Sequence, residues 1–220
     1  MKLYQLSFFL IISFLFSEVY IHPSAFSITR IQYDGGGDWY ADPSSLPNLL
    51  KYFKRNTSIP TNLEEQRSKI GDDIFKESFY LYLTGHGNIR FSDEEAMILR
   101  DHLITGAFLH ADDNYGMDKS FRMELNKVFP DKDWVELPPD HEIFHSFYKF
   151  DNGLPKVHEH DNKRPQALAL FEGERMIVLY TYESDLGDGW EDREVHDDSE
   201  EIRENALKMG VNIIVFSLTQ

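Results

Sequence analysis

Three short segments of the sequence concentrate side chains that can bind a polar ligand or move a proton. The first combines glycines with carboxylates and aromatic rings: Asp34, Gly35, Gly36, Gly37, Asp38, Trp39 and Tyr40. Aromatic faces supply contact area and carboxylates supply oriented hydrogen bonds, so this set suits a sugar or a similar flat polar ligand. A tight turn whose two rings close the core is the alternative interpretation. The glycine spacing does not match a dinucleotide-binding fingerprint.

The second segment is a turn in which His86 stands between Gly85 and Gly87. A predicted strand leads into this turn, so the imidazole is expected at the end of a strand. Near neutral pH an imidazole can act as a base, as a metal ligand or as a hydrogen-bond donor. A histidine in a turn often has a purely structural role, and His86 becomes a catalytic candidate only because of the other two segments.

The third segment holds the densest group of oxygen-bearing side chains in the chain. Asp112 and Asp113 are followed by Asn114 and Tyr115, with Asp118 close behind. Carboxylates held this close together raise one another's pKa, bind a cation or pair with a base. The spacing does not match the calcium-binding helix-loop-helix pattern, so a divalent metal is one option and its identity stays open. The structural alternative is a cap for the following helix.

Further histidines and acids lie in the second half of the chain. His141 and His145 are four residues apart, but the segment lacks the H-E-x-x-H pattern of zinc helices, and His145 is taken only as a candidate to complete the site. Residues 158–161 read His-Glu-His-Asp and can also bind metal, although a solvated loop is the favoured interpretation. The acidic and aromatic stretch at 185–192 has the same two interpretations.

The predicted elements bring the three segments to one edge of a sheet. Strands are expected at 27–33, 79–84 and 107–111, and Ser92 with Glu95 forms a capping box at the start of a helix. This alternation predicts a three-layer α/β fold with a mainly parallel sheet. Ligands bind such sheets beyond the carboxyl ends of the strands. We therefore expect the three segments to be neighbours.

The second half of the chain is less regular. Residues 167–171 and 176–180 predict an added β-hairpin. A helix is expected at 199–209, ended by Gly210, and the apolar run at 211–218 then predicts a closing buried strand.

The N-terminal residues predict export. A short positive start precedes an apolar run of about half the length that a membrane-spanning helix needs, which is typical of a secretory signal. We assign residues 1–27 to this signal, with cleavage before Ile28, and residues 28–220 to a single folded domain. An uncleaved anchor is the alternative. In both cases we expect a periplasmic or extracellular location, and the cleaved chain is expected to have no stable membrane span.

Composition narrows the choice of partners. The chain has 22 Lys+Arg against 38 Asp+Glu, and its net charge is −16. Nucleic acids and anionic membranes are poor partners for such a chain, because both are bound mainly through lysine and arginine. The absence of cysteine excludes disulfides and thiolate nucleophiles. A small polar ligand, a glycan or an envelope protein is the expected partner.

The motifs taken together resemble the family called domain of unknown function 4159. The resemblance covers nearly everything after the signal and is carried by residues 35–40, 85–87, 112–118, 140–145 and 153–155. That family is similar to the class I glutamine amidotransferase-like superfamily, which includes trehalose-utilisation-like proteins. The resemblance implies a flavodoxin-like, amidotransferase-like domain. The turn that presents a cysteine in that fold reads Ala-Asp-Asp-Asn at 111–114 here, so a thiolate glutaminase is excluded.

Two functions remain open at this point. The first is a hydrolase-like or lyase-like enzyme for a small polar metabolite or glycan, with Asp112 or Asp113 as base or metal ligand and His86 as its acid-base partner. The second is a non-catalytic module that binds a glycan or a partner protein. In that case the contact residues are Trp39, Tyr40, Tyr115 and Trp190.

Overall fold

The computed structural model describes residues 25–158, 160 and 162–220, so the predicted signal lies outside the described residues as far as residue 24. Seven strands form one sheet in the order β2-β1-β3-β4-β7-β6-β5. The strands are β1 Ile28–Ile31, β2 Gln66–Ser68, β3 Tyr80–Leu83, β4 Phe108–Asp112, β5 Val135–Glu136, β6 Gln166–Glu172 and β7 Arg175–Tyr182.

The sheet is mainly parallel. Strands β2, β1, β3, β4 and β7 run parallel to one another, while β6 and β5 continue the sheet antiparallel. In chain order the five parallel strands follow the 2-1-3-4-5 arrangement of flavodoxin-like folds. The predicted hairpin is present, but β7 is the fifth parallel strand of the main sheet, so the hairpin is not an appendage.

Helices cover both faces of the sheet. They are α1 Ser45–Asn56, α2 Asp73–Glu77, α3 Asp93–Ile104, α4 Asp118–Val128, α5 Leu186–Trp190, α6 Arg193–His196 and α7 Glu200–Thr219, with a short 3₁₀ helix at Glu142–Phe144. Apolar side chains of α1, α5 and α7 pack on one face, and those of α2, α3 and α4 pack on the other. The predicted three-layer α/β fold is confirmed. No helix in the described part of the chain has the length and apolar character needed to span a membrane.

Helix α3 begins as the sequence predicts. The Ser92 side chain accepts a hydrogen bond from the Glu95 amide at 3.1 Å, and the Glu95 carboxylate accepts one from the Ser92 amide at 2.7 Å. This reciprocal cap satisfies two amide donors at the start of the helix that have no partner within it.

The predicted closing strand at 211–218 is wrong, because α7 continues through Gly210 to Thr219. A buried apolar run looks the same in sequence whether it is a strand or a helix covered on most sides. Gly210 lies inside the helix for a packing reason. A Cβ at this position would lie 2.5 Å from Leu49 Cδ1 and 3.0 Å from Trp190 Cζ2. The glycine therefore lets α7 pack closely against α1 and α5.

A buried arginine holds the segment after β1 in place. The Arg30 guanidinium donates to the Glu65 carboxylate at 2.9 Å and to the Ala41 carbonyl at 2.8 Å. It also donates to the Asp42 carbonyl at 3.3 Å. Its side chain is fully buried, so these contacts replace the water that the charge has lost. Arg30 thus fixes the chain between the first glycine-rich segment and α1.

Candidate functional site

The carboxyl edge of the sheet carries a concentration of acidic and histidine side chains. Asp112 ends β4, and the turn after β7 leads into α5 at the same edge. Among the described residues, five non-glycine residues have positive φ, and four of them are acids at this edge or in the loops beside it: Asp42, Glu183, Asp185 and Asp197. Backbone conformations of this kind persist where surrounding contacts over-determine them, and they are common at functional sites.

Asp112 lies inside the protein beneath this edge. Its carboxylate accepts hydrogen bonds from the Thr181 hydroxyl and, at 2.6 Å, from the Gly187 amide. Burial, reinforced by the nearby Asp185, raises the pKa of Asp112 well above its usual range. Because the side chain is fully buried, Asp112 is not placed to meet a ligand directly. Of the two acids expected to serve as base or metal ligand, this leaves Asp113.

Asp42 is a second buried acid close to Asp112. Asn114 donates to its carboxylate at 3.0 Å. Burial, followed by the charge of Asp188, raises the pKa of Asp42 to about 9. A Cβ on Gly187 would lie 2.9 Å from Asp42 Oδ2 and 3.2 Å from Asp112 Oδ2. A glycine is therefore needed at position 187 for the Asp42 and Asp112 carboxylates to lie this close to the backbone at the start of α5.

Asp113 and His160 meet at a small cleft, called here the carboxyl-edge cleft. Asp113 accepts hydrogen bonds from the Tyr180 hydroxyl and the Glu183 amide, each at 3.0 Å. The Nδ1 atom of His160 lies 3.7 Å from Asp113 Oδ2. The cleft has a volume of about 220 Å³ and is lined by Asp113, Tyr115, Gly116, Asp118, Lys119, His160, Tyr182 and Glu183.

The orientation of the His160 ring is set by Asp185. Nε2 of His160 donates to Asp185 Oδ2 at 2.8 Å. Burial lowers the pKa of His160, but hydrogen bonds and charge from Asp113 and Asp185 outweigh it and raise this pKa to about 10. The imidazole is therefore held between two buried carboxylates, of which Asp113 lines the cleft and Asp185 does not.

A separate group of imidazoles and acids, called here the histidine-carboxylate cluster, lies on the other side of Asp185. Its members are His158, Asp185, Asp188, Glu191, His196 and Asp198. His158 Nδ1 lies 2.7 Å from Asp188 Oδ2, and its Nε2 lies 3.1 Å from Asp198 Oδ1. His196 Nε2 lies 3.4 Å from Asp188 Oδ1 and 3.3 Å from Glu191 Oε2.

The three predicted segments do meet, but His86 pairs with a different acid. Its Nδ1 lies 3.1 Å from Asp38 Oδ2, and its amide donates to the same carboxylate. Half of the His86 side chain is exposed, at 52%. This pair stands between the ends of β1 and β3, the switch point where flavodoxin-like sheets bind ligands. The expected pairing of His86 with Asp112 or Asp113 is replaced by the pairing with Asp38.

The glycines of the first two segments allow close backbone contact. A Cβ on Gly37 would lie 2.7 Å from the His86 carbonyl, and one on Gly85 would lie 2.3 Å from the Tyr33 hydroxyl. Gly36 instead faces open space and borders a groove of about 620 Å³. Gly87 accepts a hydrogen bond from Ser120 through its carbonyl. These contacts support the tight turn considered for residues 34–40, although only Trp39 of its two rings packs on the core.

The aromatic candidates divide by exposure. Tyr40 and Tyr115 are 60% and 61% exposed, and the Trp39 ring packs edge-on against Tyr40 at 5.4 Å. Trp190 is fully buried and donates to the Ala206 carbonyl. The expectation that Trp190 contacts a ligand is therefore wrong, because it anchors α5 to α7.

A family model for a domain of unknown function, DUF4159, matches residues 27–218. The chain belongs to the DUF4159 family. The resemblance to this family that the sequence motifs predict is therefore confirmed. No curated protein matches the DUF4159 chain.

His145 of this DUF4159 chain lies away from the carboxyl-edge cleft. Its Nε2 is hydrogen-bonded to the Pro139 carbonyl at 3.1 Å. The residues that follow it pack on the middle of α7, where Tyr148 and Asn212 exchange hydrogen bonds. The structure therefore does not bring His145 together with His86, Asp112 or Asp113.

Sequence reasoning missed most of the side chains that meet at this edge of the DUF4159 domain. The missed residues are Asp42, His158, His160, Asp185, Asp188, His196 and Asp198. A signal was present, because residues 158–161 and 185–192 are dense in histidine and acid. Each stretch allows a metal site as well as a solvated loop, and nothing in their spacing indicates that they fold against each other.

Proposed function

We propose that this protein is an exported hydrolase or lyase that acts on a small polar metabolite or a short glycan at the carboxyl-edge cleft. Asp113 takes the role of base and His160 that of acid. In hydrolysis, Asp113 removes a proton from the attacking water and His160 gives one to the leaving group. In elimination, Asp113 removes a proton from the substrate carbon and His160 protonates the departing oxygen.

One observation carries this proposal: Asp113 and His160 face each other at the cleft, while a buried acid holds the ring from behind. Nδ1 of His160 is 3.7 Å from Asp113 Oδ2 and Nε2 is 2.8 Å from Asp185 Oδ2. A carboxylate that orients an imidazole towards a second reactive group is a recurring arrangement in acid-base catalysis.

The cleft favours a small substrate. Its volume of about 220 Å³ is below the roughly 300–1,000 Å³ of sites for drug-sized ligands. Its lining mixes the carboxylates of Asp113 and Asp118 with the ammonium of Lys119 and the ring of Tyr115. Such a lining suits a ligand with several hydroxyl or carboxyl groups.

The proposal is tested by incubating the purified full chain with small glycosides, esters, amides and hydroxy acids. Mass spectrometry then distinguishes the two reactions, because hydrolysis adds one water across the cleaved bond, whereas elimination adds none and leaves a carbon–carbon double bond in one product. We expect turnover of one class, and we expect Asp113→Asn and His160→Gln each to lower its rate by about 10²- to 10⁴-fold.

Matched controls are available outside the cleft. Asp140→Asn and His145→Gln remove a carboxylate and an imidazole that do not line it, so both variants should keep the wild-type rate. Equal rates in all four variants would show that Asp113 and His160 do not carry the reaction. Absence of turnover with every class would also contradict the proposal.

A binding module is the second candidate, and the exposed rings favour it. Tyr40 and Tyr115 present most of their surfaces to solvent, which is typical of residues that stack on sugars. Glycan-array binding that is lost in Tyr115→Ala but kept in His160→Gln, without turnover, would support this function.

The relation to glutamine amidotransferase-like proteins and the periplasmic or extracellular location remain predictions from the sequence.

A further inference from the structure

Three segments of the chain place metal-binding atoms next to one another in the histidine-carboxylate cluster. His158 comes from the loop before β6, Asp188 from α5 and His196 from α6. One ligand atom from each of the three lies within 4.8 Å of the other two. Two imidazole nitrogens and one carboxylate oxygen form a donor set that binds zinc and other divalent transition metals.

Two buried oxygen atoms beside these donors have no hydrogen-bond partner in the described part of the chain. They are Oδ1 of Asp185 and Oδ2 of Asp198. The two side chains are 4% and 9% exposed. A buried carboxylate oxygen without a donor costs free energy, and native proteins rarely leave one so. A cation in the cluster would offset this cost.

The two unpartnered oxygens belong to carboxylates whose other oxygen lies close to His158. Asp185 Oδ2 is 3.7 Å from His158 Nδ1, and Asp198 Oδ1 is 3.1 Å from His158 Nε2. In each carboxylate, the unpartnered oxygen is therefore bonded to the same carbon as an oxygen that lies near His158. A cation that partners these oxygens would therefore lie within the histidine-carboxylate cluster.

The charge balance of the cluster points the same way. Among the described residues, every ion-pair partner of its four carboxylates is an imidazole, and none is lysine or arginine. Carboxylates gathered without a permanent cation are stabilised by protonated imidazoles or by a metal ion.

The contact between His158 and Asp198 has a defined place in a metal site. When one imidazole nitrogen binds a metal, the other usually donates to a carboxylate, which fixes the ring. Here Nδ1 of His158 faces Asp188, and Nε2 faces Asp198. The ring is thus already oriented as a ligand with a carboxylate behind it.

We propose that His158 Nδ1, His196 Nε2 and an oxygen of Asp188 bind one divalent transition-metal ion, with zinc the first choice. Three protein ligands leave at least one coordination position for water or for a substrate group. The inference does not rest on the proposed function, since the cluster and the carboxyl-edge cleft have no residue in common and are linked by the contact of Asp185 with His160. A structural metal and a catalytic metal both satisfy it.

The test uses the full chain without a histidine tag. Metal content is measured by plasma mass spectrometry after purification, and the chelator-treated protein is then titrated with Zn²⁺, Co²⁺ and Mn²⁺ by calorimetry. We expect one ion per chain and a raised Tm in its presence. Failure of all three ions to bind would overturn the proposal.

Variants locate the ion. His196→Ala and the isosteric Asp188→Asn should each weaken binding at least 10-fold, while His145→Ala and Asp140→Asn should bind like wild type. One ion bound with unchanged affinity in the first pair would place it elsewhere and also overturn the proposal. X-ray absorption of the zinc-loaded wild type gives a test without variants, because it should show two imidazole ligands.

Discussion

His160 donates a hydrogen bond to Asp185 at 2.8 Å, and this contact joins the loop before β6 to the turn after β7. Asp185 is 2% exposed and has a positive φ of 59°. The backbone at Asp185 therefore adopts an uncommon conformation, and this conformation directs the Asp185 carboxylate towards Nε2 of His160. Under the proposed function, Asp185 is therefore a positioning residue for His160 rather than a group that meets substrate.

The first prediction concerns this positioning role. Asp185→Asn keeps the size of the side chain but weakens the hydrogen bond that orients the ring. Once the substrate panel identifies a reaction, we expect kcat to fall by about 10-fold or more while KM changes little, because substrate contacts remain. Steady-state kinetics measure both constants.

Two further variants sharpen this kinetic test. In the double variant with His160→Gln, the loss should not exceed that of His160→Gln alone, because the two groups act as one unit. A rise in KM at constant kcat would mean that Asp185 serves binding instead of ring orientation.

The second prediction concerns the buried charge of Arg30. Arg30→Met leaves the Glu65 carboxylate, which is 4% exposed, without its buried partner. It also removes the donors to the backbone at Ala41 and Asp42. We expect the free energy of unfolding to fall by about 3–5 kcal/mol, as for other broken buried pairs. Urea denaturation monitored by circular dichroism measures this change.

Arg67 provides the matched control, because it pairs with the same glutamate from the surface. Its Nε lies 2.6 Å from Glu65 Oε1, but its side chain is 47% exposed. Arg67→Met should change the free energy of unfolding by less than about 1 kcal/mol. Similar losses in the two variants would show that burial of Arg30 is not the cause.

Local patterns predicted the framework of the fold well. The capping box of Ser92 and Glu95 identified the start of α3 because both partners lie within one helical turn. The glycines after β1 and β3 marked turns at the correct edge of the sheet. Such features depend on residues that are close in sequence, so one sequence is enough to predict them.

The site depended on contacts that the sequence does not reveal. His160 lies 25 residues from Asp185 and 47 from Asp113, and His158 lies 30 residues from Asp188. No periodic pattern records which loops fold against each other. The pairing of His86 with Asp38 instead of Asp112 has the same origin, since all three loops meet at one edge and spacing does not choose among them.

The third prediction concerns Gly210 in α7. Alanine is the better helix former by about 1 kcal/mol, yet Gly210→Ala would put a methyl group 2.5 Å from Leu49 Cδ1. Overpacking should outweigh propensity, so we expect a net destabilisation of about 1–3 kcal/mol in urea denaturation.

The exposed residue Glu204 in the same helix serves as control. Glu204→Ala should stay within about 0.5 kcal/mol of wild type, since surface substitutions rarely have larger effects. Stabilisation by Gly210→Ala would mean that α7 does not pack closely against α1.

The fourth prediction concerns the pH dependence of stability through His110. This imidazole is fully buried between the Tyr80 hydroxyl at 3.2 Å and the Thr181 hydroxyl at 3.1 Å. Burial lowers the pKa of His110 from 6.5 to about 3. Between these values the unfolded chain binds a proton that the folded protein does not, so the free energy of unfolding falls as pH drops below 6.5.

The His110→Gln variant isolates this contribution, because glutamine can hydrogen-bond to both hydroxyls without titrating. Between about pH 7 and pH 4.5 we expect wild type to lose about 2–3 kcal/mol more stability than the variant, as measured by urea denaturation at each pH. His145→Gln, which removes a partly exposed imidazole, should follow wild type. Equal losses in wild type and His110→Gln would require His110 to be protonated in the folded protein, and its ring NMR signals near pH 5 would then shift.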